Sequence, residues 1–284
     1  MKSIAGSVLL SRRTEIETAM VSEPLNPSVT LTRVREPGFE GILIDSDNYT
    51  QTTTLIHMHG GGFRLGSAAA WAPFLSHVAA HTKTRVLDVD YPLAPEYPFP
   101  AALEACRSAA EWVADTTGGF VLSGDSAGAG LAAAVALSLG GVARSCHQAT
   151  VLLSPWLDLR VVNGSFDECG RTDALFSAED AREATASYCP GGDLTDPLLS
   201  PGLGDWTGQP PVLIETSSSE VLRDDARNLA AQLIASGVTV WFREVVDQPH
   251  DWHITGSSVG VVQTSLGVMR EFICMTSAPP PVQV

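Results

Sequence analysis

The feature that most limits what this chain can become is a regular alternation of short strand-like runs with longer helix-like runs. After a polar leader, residues 29–35 and 41–45 are rich in β-formers and flank Pro37-Gly38, the pattern of an opening hairpin at the edge of a sheet. Residues 54–58, 85–90, 120–123 and 150–153 then read as strands, separated by helix-like runs at 69–81, 101–115 and 131–139. Strand and helix resume at 212–216, 221–236, 238–244 and 256–274. Parallel neighbours need a crossover, usually a helix, so the alternation predicts an α/β fold with a doubly wound, mostly parallel sheet.

Residues 163–189 interrupt that rhythm. They mix Gly, Ser and acidic residues with one helical run, 178–188, and carry no strong strand. They read as an insertion which, with the leader at 1–27, forms a small helical cap on a single domain spanning 1–284. The Pro-rich residues 275–284 read as a disordered tail.

Composition narrows the function. Hydrophobic residues at 44% and charged residues at 17% supply a sizeable core and exclude wholesale disorder. A net charge of −15, with no Lys/Arg cluster to offset it, repels phosphate backbones and anionic lipid, which excludes nucleic acid as a partner. The apolar run 4–10 is short and meets Arg12 and Arg13, unlike a signal peptide, and no stretch has the length of a bilayer span. Cys106, Cys146, Cys169, Cys189 and Cys274 are odd in number and lack CxxC spacing, which fits reduced thiols acting as small hydrophobes. These observations predict a cytoplasmic protein without membrane contact.

Chemistry gathers at the carboxyl ends of strands in open α/β sheets. Directly after the strand at 120–123 stands Gly124-Asp125-Ser126-Ala127-Gly128, followed by a helix of small residues. A sharp strand-to-helix turn of this kind strains the serine and exposes its hydroxyl, with glycines where side chains would collide. The amides of Ser126 and Ala127 then lie at a helix N-terminus, where the dipole favours a developing oxyanion. Beyond the strand at 54–58 stands His59-Gly60-Gly61-Gly62-Phe63, whose bare amides suit the same oxyanion. His57 and His59 alternate along this strand, but no further ligand has metal spacing, so both read as satisfied structural histidines and no metal is expected.

HGGGF and GDSAG together resemble the hormone-sensitive-lipase branch of the α/β hydrolases, also called bacterial family IV esterases. Residues 90–96 and 98–102 resemble that family's segment between the oxyanion loop and the elbow, and 154–159 and 196–201 resemble its later landmarks, so the similarity covers most of the chain. The resemblance implies the α/β-hydrolase fold with a cap, oxyanion amides from Gly61, Gly62 and Ala127, His59 holding the glycine loop in shape, and no cofactor. Some members pair through an edge strand, which leaves a homodimer open.

Triads in this fold run Ser, then acid, then His, so the partners of Ser126 lie downstream. Glu220, past the strand at 212–216, holds the position resembling the family's catalytic acid, where Asp is usual. Ser217-Ser218-Ser219 stands where the family usually has a glycine, so a different backbone is expected before Glu220. Asp224 and Asp225 compete for the role, against their reading as first-turn acids facing a helix dipole. His250, in Pro249-His250-Asp251-Trp252-His253, is the expected base, with His253 the second candidate and Asp251 given no chemistry. An unshifted imidazole would lose activity on acidification near ~6 to 7.

The expected function is hydrolysis of small to medium acyl esters through an acyl-enzyme. Acyl transfer, amide or lactone cleavage, and a silent binding module stand as alternatives. Phe63, Trp71, Phe74, Trp206 and Trp252 are candidates for the pocket wall, each against a core-packing alternative.

Overall fold

The computed structural model describes residues 2–47, 53–255 and 258–277. Its elements in chain order are α1 (Lys2–Val21), β1 (Val29–Glu36), β2 (Phe39–Ser46), β3 (Thr54–Met58), α2 (Ala68–Thr82), β4 (Arg85–Val89), α3 (Ala101–Thr116), β5 (Phe120–Asp125), α4 (Ser126–Ser138) and α5 (Gly141–Cys146). They continue with β6 (His147–Leu153), α6 (Ser165–Glu168), α7 (Ala178–Tyr188), β7 (Val212–Ser217), α8 (Arg223–Ala235), β8 (Val240–Val245) and α9 (Val259–Thr276).

The strands form one sheet in the order β1-β2-β4-β3-β5-β6-β7-β8. The hairpin β1–β2 is antiparallel and lies at the edge, β2 meets β4 antiparallel, and every later pairing is parallel. β3, β5 and β7 are buried along their whole length, as strands covered on both faces must be. One apolar layer joins α3, α4 and α8 to the sheet, while the other joins α2 and α9 to the opposite face, with Ile16 and Met20 of α1 packed on it. This is the doubly wound, mostly parallel α/β sheet expected from the sequence, with helices on both faces.

Several helices differ from the sequence reading, and the short α5 and α6 were not read from it at all. The leader, read as part of the helical cap with no helix placed in it, forms α1, a twenty-residue helix with little periodic contrast between its faces and therefore no clear signal for its bounds. α4 begins at Ser126, as the helix N-terminus expected at Ser126 and Ala127 requires, ahead of the run read at 131–139; Gly128 and Gly130, poor helix formers, hide its first turn. α9 runs on through Met275 and Thr276, the first two residues of the expected tail, while 278–284 lie outside the described residues. Gly256 and Ser257, expected as the start of the last helix, also lie outside them.

α7 begins where its chemistry dictates. Ser177 accepts a hydrogen bond from the amide of Asp180 at 3.1 Å and donates its hydroxyl to the Asp180 carboxylate at 2.6 Å. Such a reciprocal cap is worth about 1 kcal/mol. α7 then lays Ala181, Ala184 and Tyr188 into the core beside the glycine loop.

Candidate active site

The site is assembled at the carboxyl ends of β3, β5 and β7 and on the loop after β8. Ser126 is the first residue of α4, directly after β5, and holds φ at +52°, a left-handed conformation costly for any residue with a Cβ. The turn is locked from behind. A Cβ on Gly128 would lie 2.0 Å from the carbonyl oxygen of Met58 and 2.4 Å from that of His59, so only glycine lets α4 approach the end of β3.

Asp125 occupies the N-cap position of α4 but does not cap it. Its Oδ1 instead accepts from Nε2 of His57 at 3.0 Å and from the indole of Trp71 at 2.9 Å. The first amides of α4, Ala127 among them, are therefore left without a side-chain acceptor, and they have no intrahelical partner either. A helix start with open amides attracts negative charge. Gly61 and Gly62 bring a second set of amides from the loop after β3. Gly61 has φ of +109°, and a Cβ there would meet the Leu65 carbonyl oxygen at 2.3 Å, so the turn requires glycine.

His59 lies beneath this loop. Its Nδ1–H donates to the carbonyl of Gly60 at 2.8 Å, and its ring stacks on Tyr91 at 4.2 Å. The Tyr91 hydroxyl donates to the His59 carbonyl at 2.7 Å. Burial pushes the imidazole below its usual range, so it stays neutral. The two histidines of β3 differ in satisfaction: His57 has partners at both nitrogens, with Ser123 Oγ 3.2 Å from Nδ1, whereas Nε2 of His59 has none among the described residues.

The structure brings Ser126, His250 and Glu220 into one hydrogen-bonded line. Ser126 Oγ lies 2.9 Å from Nε2 of His250, and Nδ1 of His250 lies 2.7 Å from Oε2 of Glu220. All three are buried, Ser126 at 4% exposed, His250 at 5% and Glu220 at 0%. The longer glutamate chain folds back onto its own strand, where Oε1 accepts from the Thr216 hydroxyl and from the Ser217 amide at 2.7 Å. Burial would raise this carboxyl, but the hydrogen bond and charge of His250, with Thr216 and Ser217, hold it below its ordinary value.

The serine run before Glu220 has a role invisible in its composition. Ser217 Oγ donates to the Gln248 carbonyl at 2.6 Å and accepts from the Gln248 amide at 3.1 Å, while Ser218 Oγ accepts from the Asp247 amide at 3.1 Å. These bonds tie the acid turn to the loop that carries His250.

Burial works against a charged imidazole at His250, but Asp251 and the hydrogen bond and charge of Glu220 outweigh it, lifting the group to about 10. This departs from an unshifted imidazole titrating near ~6 to 7. The cause is a feature the sequence reading passed over: Asp251 Oδ2 lies 3.3 Å from Nε2, on the nitrogen facing Ser126.

The competing candidates go elsewhere. Asp225 accepts from the amides of Leu157 at 2.7 Å and Asp158 at 2.9 Å, and Asp224 accepts from the Ser165 amide at 2.9 Å. His253 donates from Nε2 to Glu215 at 3.0 Å. Of the aromatics, Trp206 is fully buried with its indole on the Pro201 carbonyl, Trp252 is buried against His253, and Phe74 meets His57 edge-on. Phe63 stacks on Tyr188 at 3.9 Å beside the glycine loop.

Phe176, not singled out from sequence, stacks on the His250 ring at 5.7 Å. Its turn is pinned by Asp173, which accepts from the amides of Leu175 and Phe176 through Oδ1 and from Val221 through Oδ2. An isolated aromatic next to a capping serine, inside a polar insertion, was the available signal.

A buried, strained serine hydroxyl in line with an imidazole and a carboxylate, beside two sets of open amides, is suited to nucleophilic attack on a carbonyl with the oxyanion held in place. The comparisons agree with this geometry. A family model described as alpha/beta hydrolase fold matches residues 55–254. An acetyl-hydrolase of Streptomyces hygroscopicus is 37% identical over 203 residues, covering 70% of this chain and 68% of the relative. Esterase LipU of Mycobacterium tuberculosis is 32% identical over 284 residues, covering 95% of this chain and 90% of the relative. A hormone-sensitive lipase from a metagenome library superposes with a TM-score of 0.89 at 29% identity, covering 95% of this chain and 92% of the other. The chain belongs to the α/β-hydrolase family, on its bacterial hormone-sensitive-lipase branch.

Proposed function

We propose that this protein is a serine carboxylesterase cleaving small to medium acyl esters, with Ser126 as nucleophile, His250 as base and Glu220 as the acid that orients it. The observation that carries the reading is the 2.9 Å contact from Ser126 Oγ to His250 Nε2, continued at 2.7 Å to Glu220. Ser126 attacks the ester carbonyl carbon as Nε2 takes its proton, and the amides of Gly61, Gly62 and Ala127 receive the oxyanion. His59 keeps the glycine loop in shape for that task. Collapse expels the alcohol, which leaves with the proton from His250, and the acyl group stays on Ser126. Water then gives a proton to His250 and attacks the acyl carbon, releasing the acid and restoring the serine. Ester, water and these side chains supply every proton and electron pair in the cycle.

The cap is assigned to residues 1–27 and 163–189. In support, Arg12 of α1 approaches Asp180 of α7 at 3.9 Å, Phe176 covers the His250 ring, and Ala184 lies 3.5 Å from the position of a Cβ on Gly62. The names of the relatives, esterase and acetyl-hydrolase among them, favour ester cleavage over acyl transfer, amide or lactone cleavage, or silent binding. The same reading places the protein in the cytoplasm, and no described helix is long and apolar enough to cross a membrane. A homodimer would use the β8 edge, where Phe242 on the strand and Val246 directly after it are exposed, and sedimentation tests it.

The test of function is a fluorophosphonate probe together with a panel of p-nitrophenyl esters of increasing acyl length. Labelling should occur at Ser126 and vanish in Ser126→Ala, with turnover of every ester down by about 10⁴ or more. Full activity in Ser126→Ala refutes the assignment.

A further inference from the structure

Resting on the reading of His250 as the base, one carboxyl in the site remains unexplained. Asp251 follows the histidine directly, and its Oδ2 lies 3.3 Å from Nε2, the same nitrogen that Ser126 Oγ approaches at 2.9 Å. His250 therefore stands between two carboxyls, Glu220 on Nδ1 and Asp251 on Nε2. The position is built into the loop. Asp251 holds φ at +52°, a conformation that Asp and Asn tolerate better than other non-glycine residues. Its carbonyl accepts from the amides of Ile254 and Thr255, and its side chain is buried, with Oδ1 unpartnered among the described residues.

We propose that Asp251 is an acid-side lock on the catalytic base: it holds a proton against Nε2 of His250 and so sets the lowest pH at which the enzyme works. Nε2 has one in-plane lone pair. A proton shared between Asp251 Oδ2 and Nε2 occupies that position whichever of the two atoms carries it, and the Ser126 hydroxyl then has nowhere to donate. Activation is loss of this proton to solvent: imidazolium and carboxylate become neutral imidazole, carboxylate and a solvated proton. The arrangement has a compensating benefit, because the carboxylate also stabilises the imidazolium that forms when Ser126 gives up its proton.

The surroundings strengthen the lock. The charges of Glu220 from the turn after β7, Asp173 from the insertion and Asp125 from the end of β5 act on the Asp251 carboxyl, and all are acids that favour keeping the proton in the pair. Burial acts on Asp251 in the same direction, raising it well above an ordinary aspartate.

The experiment is the pH profile of kcat/KM on p-nitrophenyl acetate for the unmodified protein, Asp251→Asn and Asp251→Glu, each normalised to its own alkaline plateau. The acid limb of the unmodified enzyme should lie above the ordinary histidine value of about 6.5. Asp251→Asn should move its midpoint down by about 1 to 3 pH units, the effect of removing one charge at contact distance. One pH unit below the original midpoint, its normalised activity should rise about fivefold or more, and Asp251→Glu should retain the high limb. A merely structural role would lower activity without displacing the limb.

An active Asp251→Asn enzyme with an unmoved midpoint overturns the inference but leaves the triad standing. The triad reading fails separately, through undiminished activity in Ser126→Ala. If the Asn variant does not fold, carbon and nitrogen NMR of the unmodified protein decides. The Asp251 carboxyl and the His250 ring must then titrate together, and separate titrations overturn the inference.

Discussion

Replacing Glu220 by Gln probes the acid through its hydrogen bonds. The carboxylate accepts from three donors: the Thr216 hydroxyl, the Ser217 amide and Nδ1–H of His250. A glutamine offers one accepting oxygen and an NH₂ that only donates. With the oxygen toward His250, the Thr216 hydroxyl can rotate to accept from the amide, but the buried Ser217 N–H loses its partner, costing about 1 to 3 kcal/mol. The imidazolium also loses its counter-charge. With the NH₂ toward His250, the ring must accept at Nδ1 and carry its proton on Nε2, which removes the base altogether. Both arrangements are poor, and the acid-to-amide change in a trypsin-type triad lowers kcat by about 10⁴. The same factor is expected here, about 5 kcal/mol of barrier.

The assay is kcat/KM on p-nitrophenyl acetate at a pH above the acid limb, with circular dichroism to show that the fold is intact. Glu220→Asp restores the charge but withdraws it by one C–C bond, ~1.5 Å, for a loss of about 10²-fold, between the native and Gln enzymes. A Gln enzyme retaining more than about a tenth of native activity would refute the role assigned to Glu220 and the reasoning from its donors.

Other consequences are open to measurement. Because the folded Glu220 carboxyl sits below its usual value, it contributes stability above its unfolded pKa of about 4.3 that is lost as pH falls through the folded one; acid unfolding of Glu220→Gln should therefore be less steep below that pH. Asp225→Ala leaves the buried amides of Leu157 and Asp158 without their acceptor and should destabilise the protein by about 2 to 5 kcal/mol in urea titration, without the 10⁴-fold loss of a triad residue. His253→Gln should keep activity within about tenfold, since its Nε2 serves Glu215 rather than Ser126; a triad-like loss would reopen the choice of base. Gly61→Ala forces a Cβ onto the Leu65 carbonyl at a positive φ and should cut kcat by about 10² or more, the scale of losing one oxyanion donor.

Much of the fold was legible because period and composition change sharply along the chain. β3 and α7 occur at the residues read from sequence, since the first is too short for a helix and runs into a row of glycines, and the second is a capped, periodic run. The bounds of α1 within the expected helical cap were not legible because its faces differ little in hydrophobicity, so its helicity depends on packing against α2 and on the bonds of Arg13 to the Arg64 and Ala94 carbonyls. Asp173 and Phe176 were missed because their partners, Val221 and His250, lie far along the chain.

What the sequence determined by itself is whatever a local backbone must obey. Gly-x-Ser-x-Gly after a strand dictates a strained turn, a run of glycines dictates exposed amides, and alternating strands and helices dictate a crossover sheet. What only the tertiary structure decided is which charges meet. Glu220 rather than Asp224 or Asp225 faces His250 because the side chain folds back onto Thr216 and Ser217. Asp251 faces Nε2 because one residue adopts a left-handed φ. The physical reason is range: backbone sterics act between neighbours in sequence, whereas electrostatics in a buried site acts between neighbours in space.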